Sequence, residues 1–158
     1  MMRIVRALGV GAVATLVMTG CGIQVPADPE GTLERVEGGV MRVGVTENAP
    51  WVELGANDEP SGTEPALITE FAARHGATIA WTAGSEAELL DALDHGELDL
   101  VLGGFLEDTP WTEMGAATRP YVEAGTPDGN EKHVMLVRMG ENAFLVALES
   151  FLDEEVGA

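Results

Sequence analysis

The sequence predicts an α/β domain of four to five mainly parallel strands with helices on both faces of the sheet. Short β-branched runs alternate along the chain with segments of helical periodicity. The links between them are short, which favours right-handed crossovers between parallel strands. With 158 residues and one cysteine, the chain has the length of a single domain and no disulfide to stabilise it.

Residues 1–20 have the three-part layout of a secretory signal peptide. Arg3 and Arg6 give a positive start, residues 7–18 form an uncharged apolar run, and the small pair Thr19-Gly20 follows. The run is well short of the roughly 20 residues that a membrane-spanning helix needs. We therefore predict a signal peptide that directs export.

The motif Met18-Thr19-Gly20-Cys21 resembles the bacterial lipobox, with Met where Leu is usual. This resemblance implies cleavage before Cys21 and attachment of lipid to its thiol. The protein would then be anchored to the cell membrane, facing the periplasm or the extracellular side. The alternative is an ordinary cleaved signal next to an incidental cysteine.

The mature chain is predicted to begin with a flexible tether, residues 21–39, followed by one folded unit, residues 40–158. The tether mixes Pro, Gly and acidic residues without periodicity. Residues 40–45 (VMRVGV) form the first buried strand. Residues 64–75 form a helix that opens near Pro65 and stops at a glycine.

A second strand–helix–strand unit follows. Residues 78–82 (TIAWT) are predicted as a strand. Ser85 and Glu88 have the spacing of a capping box, which opens a helix that runs to His95. Residues 98–102 (LDLVL) form the third strand.

The remaining chain contains one long loop, one strand and one helix. Gly103-Gly104 is predicted to end the third strand, and residues 105–132, rich in Pro and Gly, are predicted as a loop with one helical turn. Residues 133–138 form a fourth strand. Residues 142–156 form an amphipathic closing helix with an apolar face made of Phe144, Leu145, Leu148, Phe151, Leu152 and Val156.

The composition excludes several classes of function. A formal net charge of -19, from 27 acidic and 8 basic side chains, repels phosphate backbones and so excludes a nucleic-acid partner. The sequence has no motif of a serine hydrolase, a phosphate-binding loop or a zinc protease, and we expect neither catalysis nor a cofactor. His75, His95 and His133 are expected as exposed loop or capping residues rather than as metal ligands.

The order of motifs resembles the N-terminal lobe of family 3 extracellular solute-binding proteins, the receptors of ABC importers. The resemblance rests on MRVGVTENAPW, GTEPALITEFAARHG, ELLDALDHGELDLVLGG and RPYVE, in that order. It covers roughly residues 41–122. It implies a single lobe of a periplasmic-binding-protein-like fold, because only one helix follows the strand at 133–138.

The resemblance also implies candidate ligand-binding residues. Trp51 matches an aromatic residue that lines the ligand cleft, Glu64 stands where the family has an aspartate, and Tyr121 belongs to the Pro-Tyr pair near the hinge. Trp111 occupies the place of the arginine that clamps a ligand carboxylate. An indole cannot form that bidentate contact, so on this resemblance ordinary amino acids are not expected as ligands.

Two further candidates come from the residues themselves. Gly103 could present its backbone amide to an anionic group, or could simply form a tight turn. Arg119 could pair with a ligand anion or with a neighbouring acid. Trp51 and Trp111 are expected at the C-terminal edge of the sheet, where open α/β sheets bind ligands, and nearby acids would favour a cationic or neutral solute.

Two functions remain in competition. In the first, the chain is a lipid-anchored, non-catalytic protein that binds a small solute or presents it to an ABC-type permease. In the second, it is a scaffold lipoprotein that has lost ligand binding and pairs with a membrane protein or with itself as a homodimer.

Overall fold

The structure, a computed structural model, describes residues 27–127 and 129–157. The helices are α1 (Thr32–Val36), α2 (Thr63–Arg74), α3 (Glu86–Asp94) and α4 (Asn142–Val156), with a 3-10 turn at Pro110–Glu113. The strands are β1 (Val40–Val45), β2 (Glu53–Leu54), β3 (Pro60–Ser61), β4 (Thr78–Ala83), β5 (Leu100–Leu106), β6 (Ala116–Ala117), β7 (Val122–Thr126) and β8 (Gly129–Val137). None of the helices in these residues is long and apolar enough to cross a membrane.

One six-stranded sheet forms the centre of the domain. Its order is β4-β1-β5-β8-β6, with β7 also paired to β8. β1 runs parallel to both β4 and β5, as the strand–helix–strand order predicts, while β8 is antiparallel to β5, β6 and β7. The predicted α/β fold class is confirmed.

Helices cover both faces of the sheet, also as predicted. α1, α2 and α4 pack against one face and contribute to the larger hydrophobic cluster, while α3 packs against the other. The closing helix α4 is docked by aromatic contacts. Phe71 of α2 lies 5.9 Å from Phe144 and 5.4 Å from Phe151, ring centroid to ring centroid, in edge-to-face geometry.

Residues 105–132 contain more structure than the predicted loop. The predicted helical turn is present as the 3-10 turn, but β6, β7 and the first half of β8 also lie in this segment. β7 has the sequence VEAGT, which is short and contains a glutamate and a glycine, so it has little local strand signal. Its pairing with β8 along five residue pairs stabilises it instead.

The third strand also extends further than predicted. β5 continues through Gly103-Gly104 to Leu106, and its register against β8 shifts between Val101 and Phe105. Gly104 adopts a φ of 61°, a left-handed conformation that suits glycine. The glycine pair therefore forms a β-bulge and does not end the strand.

The prediction of a flexible tether is wrong for the part of residues 21–39 that the structure describes. α1 lies there, its Val36 is fully buried, and its Arg35 pairs with the buried Asp99 at 2.6 Å. A five-residue helix has too few turns to show periodicity in sequence, and contacts with distant residues stabilise it. The predicted signal peptide, 1–20, and Cys21 lie outside the described residues.

Asp99 joins α1 to the sheet. Arg42 of β1 contacts its carboxylate at 2.5 Å and also donates its backbone amide to it at 2.9 Å. Burial alone would raise the pKa of Asp99, but the hydrogen bonds from Arg35 and Arg42 outweigh burial and lower it below its ordinary value. Asp99 thus forms a buried structural ion pair with two arginines.

Two carboxylates cap α1 and α4, and each lies just before one helix and accepts amides of the other. Asp28 accepts hydrogen bonds from the amides of Ala143 and Phe144 at the start of α4, at 2.6 and 3.1 Å. Glu141, the N-cap residue of α4, accepts the amide of Thr32 at the start of α1, at 3.0 Å. Each helix therefore receives a cap from the segment that precedes the other helix, and Asp28 also accepts the amide of Leu33 in α1 at 2.8 Å.

Candidate functional site

A buried carboxylate connects the start of α2 to the bulge in β5. Glu64 accepts a hydrogen bond from the Tyr121 hydroxyl on Oε1 at 2.7 Å. Its Oε2 accepts the amides of Gly103 and Gly104 at 2.9 and 3.1 Å. Glu64 is fully buried and Tyr121 is 2% exposed. The structure thus brings three predicted site residues together, with their polar atoms directed at one another.

The environment of Glu64 changes its proton affinity. Burial raises the pKa of the carboxyl above its ordinary value, and the hydrogen bonds from Tyr121, Gly104 and Gly103 offset part of that increase. Burial and the neighbouring Glu64 also raise the pKa of Tyr121. Tyr121 consequently keeps its proton and remains a hydrogen-bond donor to Glu64.

Trp51 lies directly on this network. A Cβ atom at Gly104 would approach Cδ1 of Trp51 to 2.5 Å, so the indole fits only because position 104 has no side chain. The Trp51 ring stacks on the His133 ring at 3.8 Å between centroids and meets Tyr121 edge to face at 6.4 Å. Trp51 is therefore held as a partly buried aromatic platform at the C-terminal end of the sheet.

His133 is the functional candidate that sequence reasoning missed. Predicted as exposed, it is 2% exposed, because β8 begins at Gly129 and places His133 opposite Leu106 inside the sheet. Its Nδ1 lies 3.2 Å from the carbonyl oxygen of Gly104. Among the described residues Nε2 has no hydrogen-bond partner; Oε2 of Glu131 is 4.0 Å away.

An open cavity of about 510 Å³ lies beside β5 and β8. It is lined by the end of β5 and the residues after it, Leu106, Glu107 and Asp108, and by Asn130, Glu131 and Lys132 of β8. Three carboxylates and one ammonium group therefore surround it. The Lys132 ammonium lies 3.5 Å from Glu107, and the lining retains an excess of negative charge.

The two remaining predicted site residues lie elsewhere. Trp111 packs against the core cluster on the α3 face, and its indole N–H donates to Glu86 at 2.7 Å. Trp51 packs against the other cluster, so the two tryptophans contact the cores on opposite faces of the sheet. Arg119 pairs with Glu149 at 3.1 Å and Asp153 at 2.8 Å on α4, which is the structural alternative for this residue.

One of the missed residues had a partial signal in the sequence. Asn48 follows β1 and donates its side-chain amide to the carbonyl of Gly103 at 2.8 Å. Its position after a buried strand is where side chains of parallel sheets converge. His133 had no comparable signal, because its burial depends on the register of β8. In the described part of the chain, no group of three or more His, Cys, Asp or Glu side chains is arranged to hold a metal ion.

Several solved structures share this fold. The arginine-bound form of domain 1 from TmArgBP, the arginine-binding protein of T. maritima, matches with a TM-score of 0.66 and 24% identity, covering 77% of this chain and 97% of that one. The unliganded L-cystine solute receptor of Neisseria gonorrhoeae matches with a TM-score of 0.64 and 10% identity, covering 77% and 89%. EhuB in complex with hydroxyectoine matches with a TM-score of 0.66 and 13% identity, covering 78% of this chain and 86% of that one.

The family is established by sequence. No curated protein matches the chain. Residues 41–155, however, match a protein family described as bacterial extracellular solute-binding proteins, family 3. That match spans well over half of the chain and coincides with the single α/β lobe seen in the structure. The chain therefore belongs to the family 3 bacterial extracellular solute-binding proteins.

Proposed function

We propose that this chain is a lipid-anchored, non-catalytic receptor that binds a small solute and presents it to the permease of an ABC-type importer. Family membership supports solute binding outside the cytoplasm. Structures with the same fold bind arginine and hydroxyectoine, both small solutes. In this proposal the solute occupies the cavity at the C-terminal end of β5 and beside β8.

The cavity is the observation that carries the proposal. Its volume of about 510 Å³ lies in the range of small-molecule sites. It also lies where β5 ends, the edge at which open α/β sheets bind ligands. Glu107, Asp108 and Glu131 supply acceptors for ammonium or guanidinium groups, and Asn130 can both donate and accept.

The chemistry of the lining favours a cationic or neutral solute. Trp111 stands where relatives with amino-acid ligands place a clamping arginine, and its N–H is engaged by Glu86. Arg119 is held by two carboxylates of α4. Neither residue is available to a ligand carboxylate, so a free carboxylate on the solute would face the acidic lining unpaired.

The anchor is supported by sequence alone. The signal-like residues 1–20 end at Cys21, the one cysteine in the chain. Two or more acyl chains on such an N-terminus hold a protein firmly at a membrane. The acidic domain would then face away from anionic lipid headgroups, which repel it.

A thermal-shift panel on the full chain with Cys21→Ser tests the proposal. Because a ligand that binds only the folded state raises its stability, a cationic or neutral solute at about 100 times its Kd should add about 2.7 kcal/mol. Solutes with amines, guanidines or hydroxyl groups form one arm of the panel, and carboxylates without a cationic group form the other. In a bacterial host the unsubstituted chain should incorporate a labelled fatty acid, and the Cys21→Ser variant should not.

Two variants connect a thermal shift to the cavity. Glu107→Gln and Glu131→Gln should weaken binding of a cationic solute by about tenfold each, since each removes one charged acceptor. Glu34→Gln is the matched control, because Glu34 is an exposed glutamate on α1 at the opposite end of the sheet. Equal weakening by all three variants, or a panel without any shift, would contradict solute binding at this site.

The scaffold function remains a second candidate because of one observation. Glu64, the Gly103 amide and Tyr121 satisfy one another in a buried network, so three expected ligand contacts are already occupied. A lobe of this kind would serve as an interaction module that pairs with a membrane protein or with itself. An absence of thermal shifts together with a concentration-dependent dimer would favour this function.

A further inference from the structure

The outer strand of the sheet has an unusual composition for this chain. β4 lies at one end of the strand order, and among the described residues β1 is the one strand paired with it. Residues 76–84 (GATIAWTAG), which include β4, carry no charged side chain, although 22% of the chain is charged. Proteins usually protect such edges with charge, proline or a bulge, and β4 has none of these.

The direction of the backbone amides in β4 follows from its flanking hydrogen bonds. Thr78 donates its amide to Gly39, and Gly84 donates to Val45, both next to or within β1. Successive amides in a strand point in opposite directions. The amides and carbonyls of Ile79, Trp81 and Ala83 therefore point outward from the sheet, and no strand within residues 27–127 and 129–157 receives them.

The same three residues carry the apolar face of the strand. Ile79, Trp81 and Ala83 are half-buried and pack against the rim of the larger core cluster. The alternate residues Thr78, Ala80 and Thr82 are exposed. The open edge thus combines unpaired backbone groups with apolar side chains that a partner strand would cover.

We propose that β4 is a self-association edge, at which a second copy of this chain adds its own β4 in antiparallel orientation to give one continuous sheet. Centred on Trp81, this register places Ile79 of one copy opposite Ala83 of the other and the two Trp81 residues face to face across the two-fold axis. Each facing pair exchanges two hydrogen bonds, or about six for the three pairs. The side chains of these three pairs are all apolar, and on the other face of the sheet Ala80 stands opposite Thr82, a pair that carries no charge.

The partner is a second copy because the antiparallel register is self-complementary, and charge explains why the contact lies at β4. Two chains of formal charge -19 repel each other, and like charges placed opposite in a sheet destabilise the pairing. The charge-free edge avoids that repulsion at the contact, and screening by salt reduces the rest. The interface therefore specifies the self-association of the scaffold function but does not depend on solute binding.

Analytical ultracentrifugation of the full chain with Cys21→Ser tests the interface. We expect a reversible monomer–dimer equilibrium that shifts with protein concentration and tightens as NaCl increases. Trp81→Lys places two ammonium groups opposite each other and should weaken the dimer by at least about tenfold. Ala83→Pro removes an outward amide that β1 does not use, and should weaken it while leaving the fold intact.

Trp111→Lys is the matched control, since it makes the same exchange on a half-exposed tryptophan of the opposite face. It should dimerise like the parent chain. Circular dichroism establishes whether each variant is folded. If Trp81→Lys does not fold, Ala83→Pro still tests the interface. A monomer at every concentration and salt level, or dimers that persist in both β4 variants, would overturn the proposal. Neither result would change the solute-induced thermal shift, which tests the other function.

Discussion

Glu64 organises the candidate site from inside the protein. Its carboxylate holds the two bulge amides of β5 on one oxygen and the Tyr121 hydroxyl on the other. Those contacts fix the backbone on which the Trp51 ring lies. The residue therefore positions the aromatic platform without facing the cavity itself.

Substitutions at Glu64 separate hydrogen bonding from charge. Glu64→Ala leaves two amides and one hydroxyl buried without partners, and should lower the free energy of unfolding by about 3–5 kcal/mol. Glu64→Gln can accept both amides on its oxygen and donate to the oxygen of Tyr121, so we expect a loss below about 1.5 kcal/mol. Urea unfolding monitored by circular dichroism measures both. Glu53→Ala, at an exposed glutamate in the short strand β2, is the control and should change stability by less than about 0.5 kcal/mol.

The pH dependence of the same pair provides an independent check. Because the folded pKa of Glu64 is raised above 4.5, its stabilising contribution is complete below pH 4.5 and is lost as pH rises through the folded pKa. The parent chain should therefore lose stability relative to Glu64→Gln over that rise. If the stability of the parent chain instead increases relative to Glu64→Gln as pH rises, the fold favours the ionised carboxylate of Glu64, which would contradict the raised pKa.

At the scale of elements, the short helix α1 depends on its exchange of caps with α4. Asp28 accepts amides at the start of α4 and also the amide of Leu33 in α1, while Glu141 accepts the amide of Thr32 in α1. Hydrogen bonds from the Thr32 region also offset the effect of burial and lower the pKa of Glu141. The exchange joins residues more than 100 positions apart in sequence, so it closes the chain on itself.

A double-mutant cycle tests this exchange. Asp28→Ala and Glu141→Ala should each lower the free energy of unfolding by about 1–2 kcal/mol, the usual effect of losing a helix cap. Because either loss loosens the same contact between α1 and α4, the double variant should lose less than the sum by about 0.5 kcal/mol or more. Chemical denaturation measures all three. Glu30→Ala, an exposed acid in the same segment, should be nearly neutral; a cycle that is strictly additive would indicate two independent caps.

Local signals predicted the elements that contain them, and distant contacts decided the rest. The capping box at Ser85 and Glu88 forms as expected, and α2 ends next to Gly76. β7, the bulge in β5 and α1 were missed because their stability comes from pairing or capping across long sequence separations.

The same contrast between local signals and distant contacts applies to the candidate site. The structure brings Glu64, Gly103 and Tyr121 into one region, because they flank strands that meet at one edge. The sequence indicated Glu64 and Tyr121 through the resemblance and Gly103 through its place at the end of a strand. It gave no means to see that their polar atoms satisfy one another. The burial of His133 depends on the register of β8, which is a tertiary property, and could not be anticipated from its neighbours.

At the scale of the whole molecule, the balance of charge is dominated by acids. All six basic side chains in residues 27–127 and 129–157 take part in ion pairs, namely Arg35, Arg42, Arg74, Arg119, Lys132 and Arg138. Many carboxylates in the same residues have no such partner, including Glu37, Glu47 and Glu59. Their mutual repulsion acts on the compact state more strongly than on an expanded chain.

Added salt should therefore stabilise the folded chain. Raising NaCl from about 0.01 M to 1 M shortens the Debye length from about 30 Å to about 3 Å and screens this repulsion. We expect the free energy of unfolding to increase by about 1–2 kcal/mol, or Tm to rise by roughly 3–8 °C, measured by thermal unfolding at a protein concentration low enough to keep the chain monomeric.

Changing Glu37, Glu47 and Glu59 together to Gln removes three exposed, unpaired charges, so this variant should melt higher than the parent at low salt and respond less to NaCl. If the parent and the variant respond equally, the salt effect does not come from carboxylate repulsion, and a Tm that falls with NaCl would mean that the ion pairs of the six basic residues outweigh it.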